Sequence, residues 1–263
     1  LRHKAAWETL RLVETMHEIV EGWPAQVMLA TRAEHVRQAK REGKIAAILG
    51  MEGADGLQGD LTVLRAFYRL RIRNIGLTWN HRNEVADGVG EERTGGGLTE
   101  FGVRLVQEMR KLGIMVDVAH LAPAGVAHVF EVYEGPVVCS HGNARAVCNH
   151  RRNLTDAQLE QIAVSGGVVG VTFVPAFISE NPGEATLDRL IDHIDHIVRV
   201  AGLDHVGLGS DWDGFFQPTA DFPQHVGQTP MITEALLRRG YSEEAERKIL
   251  GENWLRVFAE VAG

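Results

Sequence analysis

Residues 116–125 read VDVAHLAPAG. Val116, Val118 and Ala119 suit a packed strand, His120 closes the run, and Pro123 and Gly125 then turn the chain away. A second stretch, GPVVCSHGNA (135–144), repeats the pattern: it is apolar from Pro136 to Cys139 and ends in Ser140 and His141. Two strands that each finish on an imidazole put polar chemistry at their C-terminal ends. In an α/β barrel the site is built at that face.

Working outward, the chain alternates two periods. Strand-like apolar runs are expected at 44–52, 74–79, 114–120, 136–141, 167–177 and 205–211. Helical patterns separate most of them. In 98–113, Phe101, Leu105 and Met109 fall four apart, and Gly113 suits the helix end. Thr155 and Gln158 form a capping box that opens a helix. Over 186–202 the residues Leu187, Leu190, Ile191, Ile194, Ile197 and Val198 share one face. Strands that are apolar throughout and alternate with helices imply a parallel sheet covered on both faces. Six such repeats in 263 residues fit a (β/α)8 TIM-type barrel, a single domain over 1–263 that lacks its first one or two strands.

Composition narrows the function. The chain is 44% apolar and 24% charged, enough for a large core, and its formal charge of −8 argues against nucleic acid. No apolar run approaches the roughly 20 residues needed to span a bilayer. The first twenty residues, LRHKAAWETLRLVETMHEIV, are amphipathic rather than a signal peptide, although a leader could belong to a missing N-terminus. Two cysteines, Cys139 and Cys148, imply no disulfide framework and suit a reducing, cytoplasmic setting.

Polar residues close other strands as well. Glu52 ends the first run, inside GMEGADG, and Asp211 ends the last, inside GSDWDG. With His120 and His141 they supply the oxygen and nitrogen donors of a divalent metal such as zinc. A metal lowers the pKa of bound water to ~7, and a carboxylate such as Asp211 can take the proton released. Each residue also has a plainer reading: a strand-end histidine as a capped or half-buried side chain, Glu52 as the partner of an arginine, Asp211 as the N-cap of the helix or turn after it. Four strands ending in such residues favour the metal. His193 and His196, three apart in DHIDH, read as a solvated helix face. Gly95, Gly96 and Gly97 read as a flexible loop ahead of a helix, and Ser140 lacks the G-x-S-x-G setting of a hydrolase nucleophile. Arg151 and Arg152 are either surface charge or, over a barrel mouth, a carboxylate clamp.

In order along 44–258, ILGMEGADGL, IGLTWNHRNEVADG, VDVAHLA, VVCSHGNARAVCNHRRNLTD, HVGLGSDWDG and KILGENWLRVF resemble the membrane (renal-type) dipeptidases, a family of the metal-dependent amidohydrolase superfamily, and its bacterial members most. The resemblance implies two zinc ions and hydrolysis of dipeptides by metal-bound hydroxide, with a D-amino acid accepted at the C-terminal position. It makes Glu52 the bridging carboxylate, His120 and His141 ligands of the second ion, Arg152 the carboxylate binder and Asp211 the proton acceptor and donor. His81, two residues after Trp79, is the candidate to polarise the scissile carbonyl if its strand extends that far. The family's first strand carries His-x-Asp. The one His-x-Asp here, at His193–Asp195, lies mid-helix, so Leu1 is expected to fall after the first two strands. The expected partner is a small dipeptide, with a homodimer as the candidate assembly. Two alternatives stay open: another amidohydrolase-type reaction, such as deamination or lactone hydrolysis, and a non-catalytic metal or ligand binder.

Overall fold

The computed structural model describes residues 4–215 and 221–263 as parallel strands alternating with helices. The chain divides into two compact units, Leu1–Pro136 with Phe258–Gly263, and Val137–Val257.

The first unit opens with helix α1 (Ala5–Gly22), which takes in the amphipathic segment from its fifth residue and runs two residues past it. Strand β1 (Val27–Leu29), helix α2 (Ala33–Arg41) and strand β2 (Ile45–Ala47) follow, and β1 and β2 pair in parallel from Val27↔Ile45 to Leu29↔Ala47. Three residues are too few to show a period, so β1 was not expected. The run 44–52, expected as one strand, is two. After Ile48 the chain starts β3 (Leu49–Met51), which pairs instead with β4 (Ile72–Gly76) and shifts register between Leu49 and Gly50.

Between them, helix α3 (Leu61–Arg69) starts where the Asp60 carboxylate accepts from the Thr62 amide, and it buries Leu64 and Phe67. Helix α4 (Glu100–Leu112) is capped by Thr99, buries Leu105, Val106 and Met109, and ends at Gly113 with φ 73°. Only glycine takes that left-handed turn without steric penalty. Strand β5 (Met115–Asp117) pairs with β4, and helix α5 (Pro123–Val132) begins on its proline.

In the second unit, β6 (Val137–Cys139), β7 (Val168–Val171) and β8 (Val206–Leu208) pair in parallel in that order, their inward residues almost wholly buried. Helix α6 (Asp156–Val164) carries the complete capping box: Thr155 accepts from the Gln158 amide and Gln158 accepts from the Thr155 amide. The run expected as a strand over 167–177 stops at Val171. Pro175, which donates no amide hydrogen, opens the short helix α7 (Pro175–Ile178) instead. Helix α8 (Leu187–Ala201) buries Leu187, Leu190, Ile191, Ile194 and Ile197 as expected. Helices α9 (Pro230–Arg239), α10 (Glu243–Arg247) and α11 (Asn253–Ala262) complete the order. At the start of α11, Asn253 donates to the Leu203 and Val206 carbonyls and Trp254 to that of Leu208, which ties the helix to β8.

Two glycines set how closely the strand ends of this unit approach. A Cβ on Gly170 or on Gly209 would run into the Ser140 carbonyl oxygen. The backbone just before His141 is thereby packed against the ends of β7 and β8. Gly170→Ala is expected to destabilise the protein by about 1–3 kcal/mol through overpacking. Urea unfolding checks this, and an unchanged midpoint at unchanged slope would show that the backbone yields freely.

Candidate active site

In the first unit, Glu52 follows the last residue of β3 directly, and its carboxylate is half exposed. His120 stands three residues past β5, 7% exposed, with φ 67°. Left-handed backbone is uncommon outside glycine, and such positions concentrate at functional sites. The turn, closed by the Leu121 amide on the Val118 carbonyl, carries the ring back to Glu52, with Nε2 2.9 Å from Oε1. The other ring nitrogen, Nδ1, is 2.8 Å from the Asn80 Oδ1. An amide oxygen only accepts, so Nδ1 carries a proton and donates it. Nε2 faces the Glu52 carboxylate oxygen at 2.9 Å, and once Nε2 has given up any proton it holds, an imidazole nitrogen beside a carboxylate oxygen fits a divalent cation. The half-exposed Trp79 ring lies 5.8 Å from that of His120.

His81 lies in the loop beyond β4. That strand stops at Gly76, so it does not carry His81 in strand alternation. The imidazole is three-quarters exposed, with Nδ1 3.7 Å from Glu91 Oε1.

In the second unit, His141 stands two residues past β6 and is 7% exposed, its Nδ1 2.8 Å from the Ser140 hydroxyl. Arg152, in the loop that follows, is also buried, whereas Arg151 is exposed. Surface charge therefore describes only Arg151. One Arg152 Nη donates to the His141 carbonyl at 3.4 Å, and the guanidinium lies 5.5 Å from the Phe177 ring centre. His150 stacks on the same Phe177.

Two asparagines hold this loop from below. Asn143 donates to the Thr172 carbonyl and accepts from the Thr172 amide, while Asn153 donates to the Cys148 and Phe177 carbonyls. Asp211 lies three residues past β8 and, like His120, has positive φ, at 61°. Its carbonyl accepts from the Gly214 amide in a turn, and no helix starts between it and Phe215, so it is not a helix cap there.

One expectation is corrected. His193 and His196 do not form a solvated face: His193 is completely buried and His196 nearly so. His193 Nδ1 accepts from the Ala144 amide, while Nε2 donates to the Ile178 carbonyl, pinning the loop after His141 to α7. His196 bridges the Asp156 carboxylate and Arg199. Loop partners distant in sequence, which periodicity does not report, make these burials. The three glycines form the loop ahead of α4, as expected. Gly95 ends a short helical turn at φ 66°, the Gly96 amide donates to Thr94 Oγ1, and a Cβ on Gly97 would strike the His128 ring. The sequence reading missed Asn80, Asn143 and Asn153, although asparagines just past strand ends, as in WNHRN and HGN, were a visible signal.

Carboxylate and imidazole groups just past the strand ends of a parallel α/β fold are the donors of a metal-dependent hydrolase. The chain belongs to the membrane dipeptidase family, peptidase family M19, whose model matches residues 2–263. A metallopeptidase from Rhodobacter sphaeroides, liganded with a phosphinate mimic of the dipeptide L-Ala-D-Ala, is 33% identical, with a TM-score of 0.91 over 96% of this chain and 74% of that one. The metallopeptidase described as dipeptidase AC is 34% identical, with a TM-score of 0.91 over 97% and 75%. The probable dipeptidase PvdM of Pseudomonas aeruginosa is 26% identical, with a TM-score of 0.88 over 95% and 78%. The fold class is accordingly the α/β barrel type, and the protein is a metallo-dipeptidase. Among the described residues no helix is long and apolar enough to cross a membrane.

Burial pushes His193 from the ordinary 6.5 down to about 4. Between those values the folded protein binds fewer protons than the unfolded chain, so its stability is full above pH 6.5 and falls as the pH drops toward 4. Between pH 7 and pH 5 this single group is expected to remove about 2 kcal/mol. Urea unfolding of the protein and of His193→Gln at both pH values checks it. The variant should show the smaller pH dependence, and equal slopes would exclude His193 as the source.

Proposed function

We propose that the protein is a zinc-dependent dipeptidase that accepts a D-amino acid at the C-terminal position, and that both units act as one hydrolase domain in a cytoplasmic setting. The observation that carries the reading is the Glu52–His120 pair, 2.9 Å apart with Nδ1 of His120 already engaged, in a chain that the family model matches over both units. The dipeptide mimic held by the Rhodobacter sphaeroides relative supports the substrate and its stereochemistry. Nitrogen and oxygen donors from histidine and glutamate suit zinc.

Glu52, His120 and His141 would hold the metal. Bound there, it supplies Lewis acidity and makes water a nucleophile near neutral pH. The remaining steps belong to the protein's own side chains. Arg152 binds the substrate's C-terminal carboxylate in bidentate fashion. Its buried guanidinium, 5.5 Å from the centre of the Phe177 ring, is held well enough to select geometry as well as charge. Asp211 takes the proton released by the attacking water at its carboxylate and returns it to the leaving amine.

The direct test is an assay of the zinc-supplemented protein against matched L,L- and L,D-dipeptides and their C-terminally amidated forms. Release of amino acid from the free acids, lost on chelation and much weaker with the amides, is expected. No release from any member would refute the reading.

Asp211→Asn is expected to lower turnover by ~10²–10⁴-fold, because an amide still hydrogen-bonds but cannot take up and return a proton at neutral pH. Metal content should be unchanged. A variant that keeps its metal and more than about a tenth of the turnover would remove Asp211 from the proton path.

A further inference from the structure

We infer that Asn80 is a positioning residue for metal binding: its side-chain oxygen holds His120 in the one tautomer and orientation that present Nε2 to a cation beside Glu52. The inference rests on the metal-site reading of Glu52 and His120.

The geometry is compact. Asn80 Oδ1 meets His120 Nδ1 at 2.8 Å, and Nε2, on the opposite edge of the ring, meets Glu52 Oε1 at 2.9 Å. Asn80 and His120 are forty residues apart, on loops that follow neighbouring strands β4 and β5. The contact therefore depends on how the loop after β4 folds back, and several bonds determine that. The Gly90 amide donates to the Asn80 carbonyl at 2.8 Å, and the Val89 amide donates to the His120 carbonyl at 2.7 Å. Gly88 bridges to Leu121, and the Ala122 amide donates to the Asp87 carbonyl.

Side chains of Asp87, Arg82 and Thr94 close the same loop on itself. Arg82 pairs with both Asp87 oxygens, Thr94 donates to one of them, and the guanidinium holds the Asp87 carboxyl below the usual carboxylate range. The approach is tight enough that a Cβ on Gly88 would collide with the Trp79 carbonyl, and one on Gly90 with the Asn80 carbonyl. Both backbones, Asn80's and His120's, are thus fixed by the single strap 87–90. The side-chain bond between them has little freedom to be anything else.

The chemical consequence follows from the acceptor. A neutral imidazole has one donor and one acceptor nitrogen, and whichever nitrogen donates leaves the other as the ligand. An acceptor at Nδ1 selects Nε2. Because the acceptor is a neutral amide rather than a carboxylate, it orients the ring without adding negative charge behind it. Partners of this kind typically change metal affinity 10–100-fold.

The test measures Zn²⁺ affinity of the full chain by competition with a chromophoric chelator, for the wild type, Asn80→Ala, Asn80→Asp and His120→Ala. Thermal unfolding of the metal-free proteins serves as the fold control. Asn80→Ala is expected to weaken Zn²⁺ binding about 10–100-fold while the metal-free unfolding temperature stays near wild type. Asn80→Asp restores an acceptor and should bind at least as tightly as the wild type. His120→Ala separates the two levels of the argument. If it binds Zn²⁺ as the wild type does, the metal-site reading fails. If it loses Zn²⁺ while Asn80→Ala keeps full affinity, the metal site stands and the role of Asn80 is overturned. Equal weakening by Asn80→Ala and Asn80→Asp would also overturn it, since the aspartate retains the acceptor. Should Asn80→Ala lose its fold, the Asn80→Asp comparison decides alone: tight binding supports the acceptor role, and weakened binding rejects it.

Discussion

A buried imidazole can serve a cation only when its second nitrogen has somewhere to put its proton, and His120 meets that condition at Asn80. Much of the first unit follows from this requirement. The turn that carries His120 takes left-handed backbone, the loop after β4 folds back to bring Asn80 within 2.8 Å, and glycines stand where side chains would block that return. A carboxylate on the far side of the ring completes the arrangement. None of these features is a favourable local choice alone. They persist because the hydrogen bonds of the strap satisfy one another.

The second unit solves a parallel problem by different means. Arg152 is a permanent cation held almost out of water, and a charge in that position needs bonds and a polarisable surface around it. The His141 carbonyl and the Phe177 ring supply part of that environment. Asn143, Asn153 and His193 fix the loop that carries it, each with bonds to main-chain groups far along the sequence. Keeping His193 neutral belongs to the same design. Its ring is an acceptor for one loop and a donor to the next, and a second proton would abolish the acceptor.

Both units therefore place their candidate residues on loops just past short parallel strands, with the strands themselves serving as rigid supports. The candidate residues can then be polar and strained, while β5, β6 and β7 beneath His120, His141 and their loops are buried throughout. Membership of the membrane dipeptidase family fits that division of labour, since the chemistry resides in side chains at strand ends and the specificity in the loops around them.

The sequence alone determined the alternation of strand and helix, the capping box at Thr155, the helix over 187–201 and the strand-end positions of Glu52, His120, His141 and Asp211. All of these are local: a period, a cap or a residue at the end of an apolar run is written in neighbouring positions. Resemblance of motifs singled out Arg152 from the Arg151–Arg152 pair and added the family. Tertiary structure decided the rest. It divided 44–52 into two strands with different partners, ended β4 at Gly76, and converted the histidines of α8 from an exposed pair into buried ties. It also brought Asn80 to His120 across forty residues. Each of these depends on which distant backbone group lies opposite, and hydrogen-bond pairing between separate loops leaves no period in the chain from which to read it.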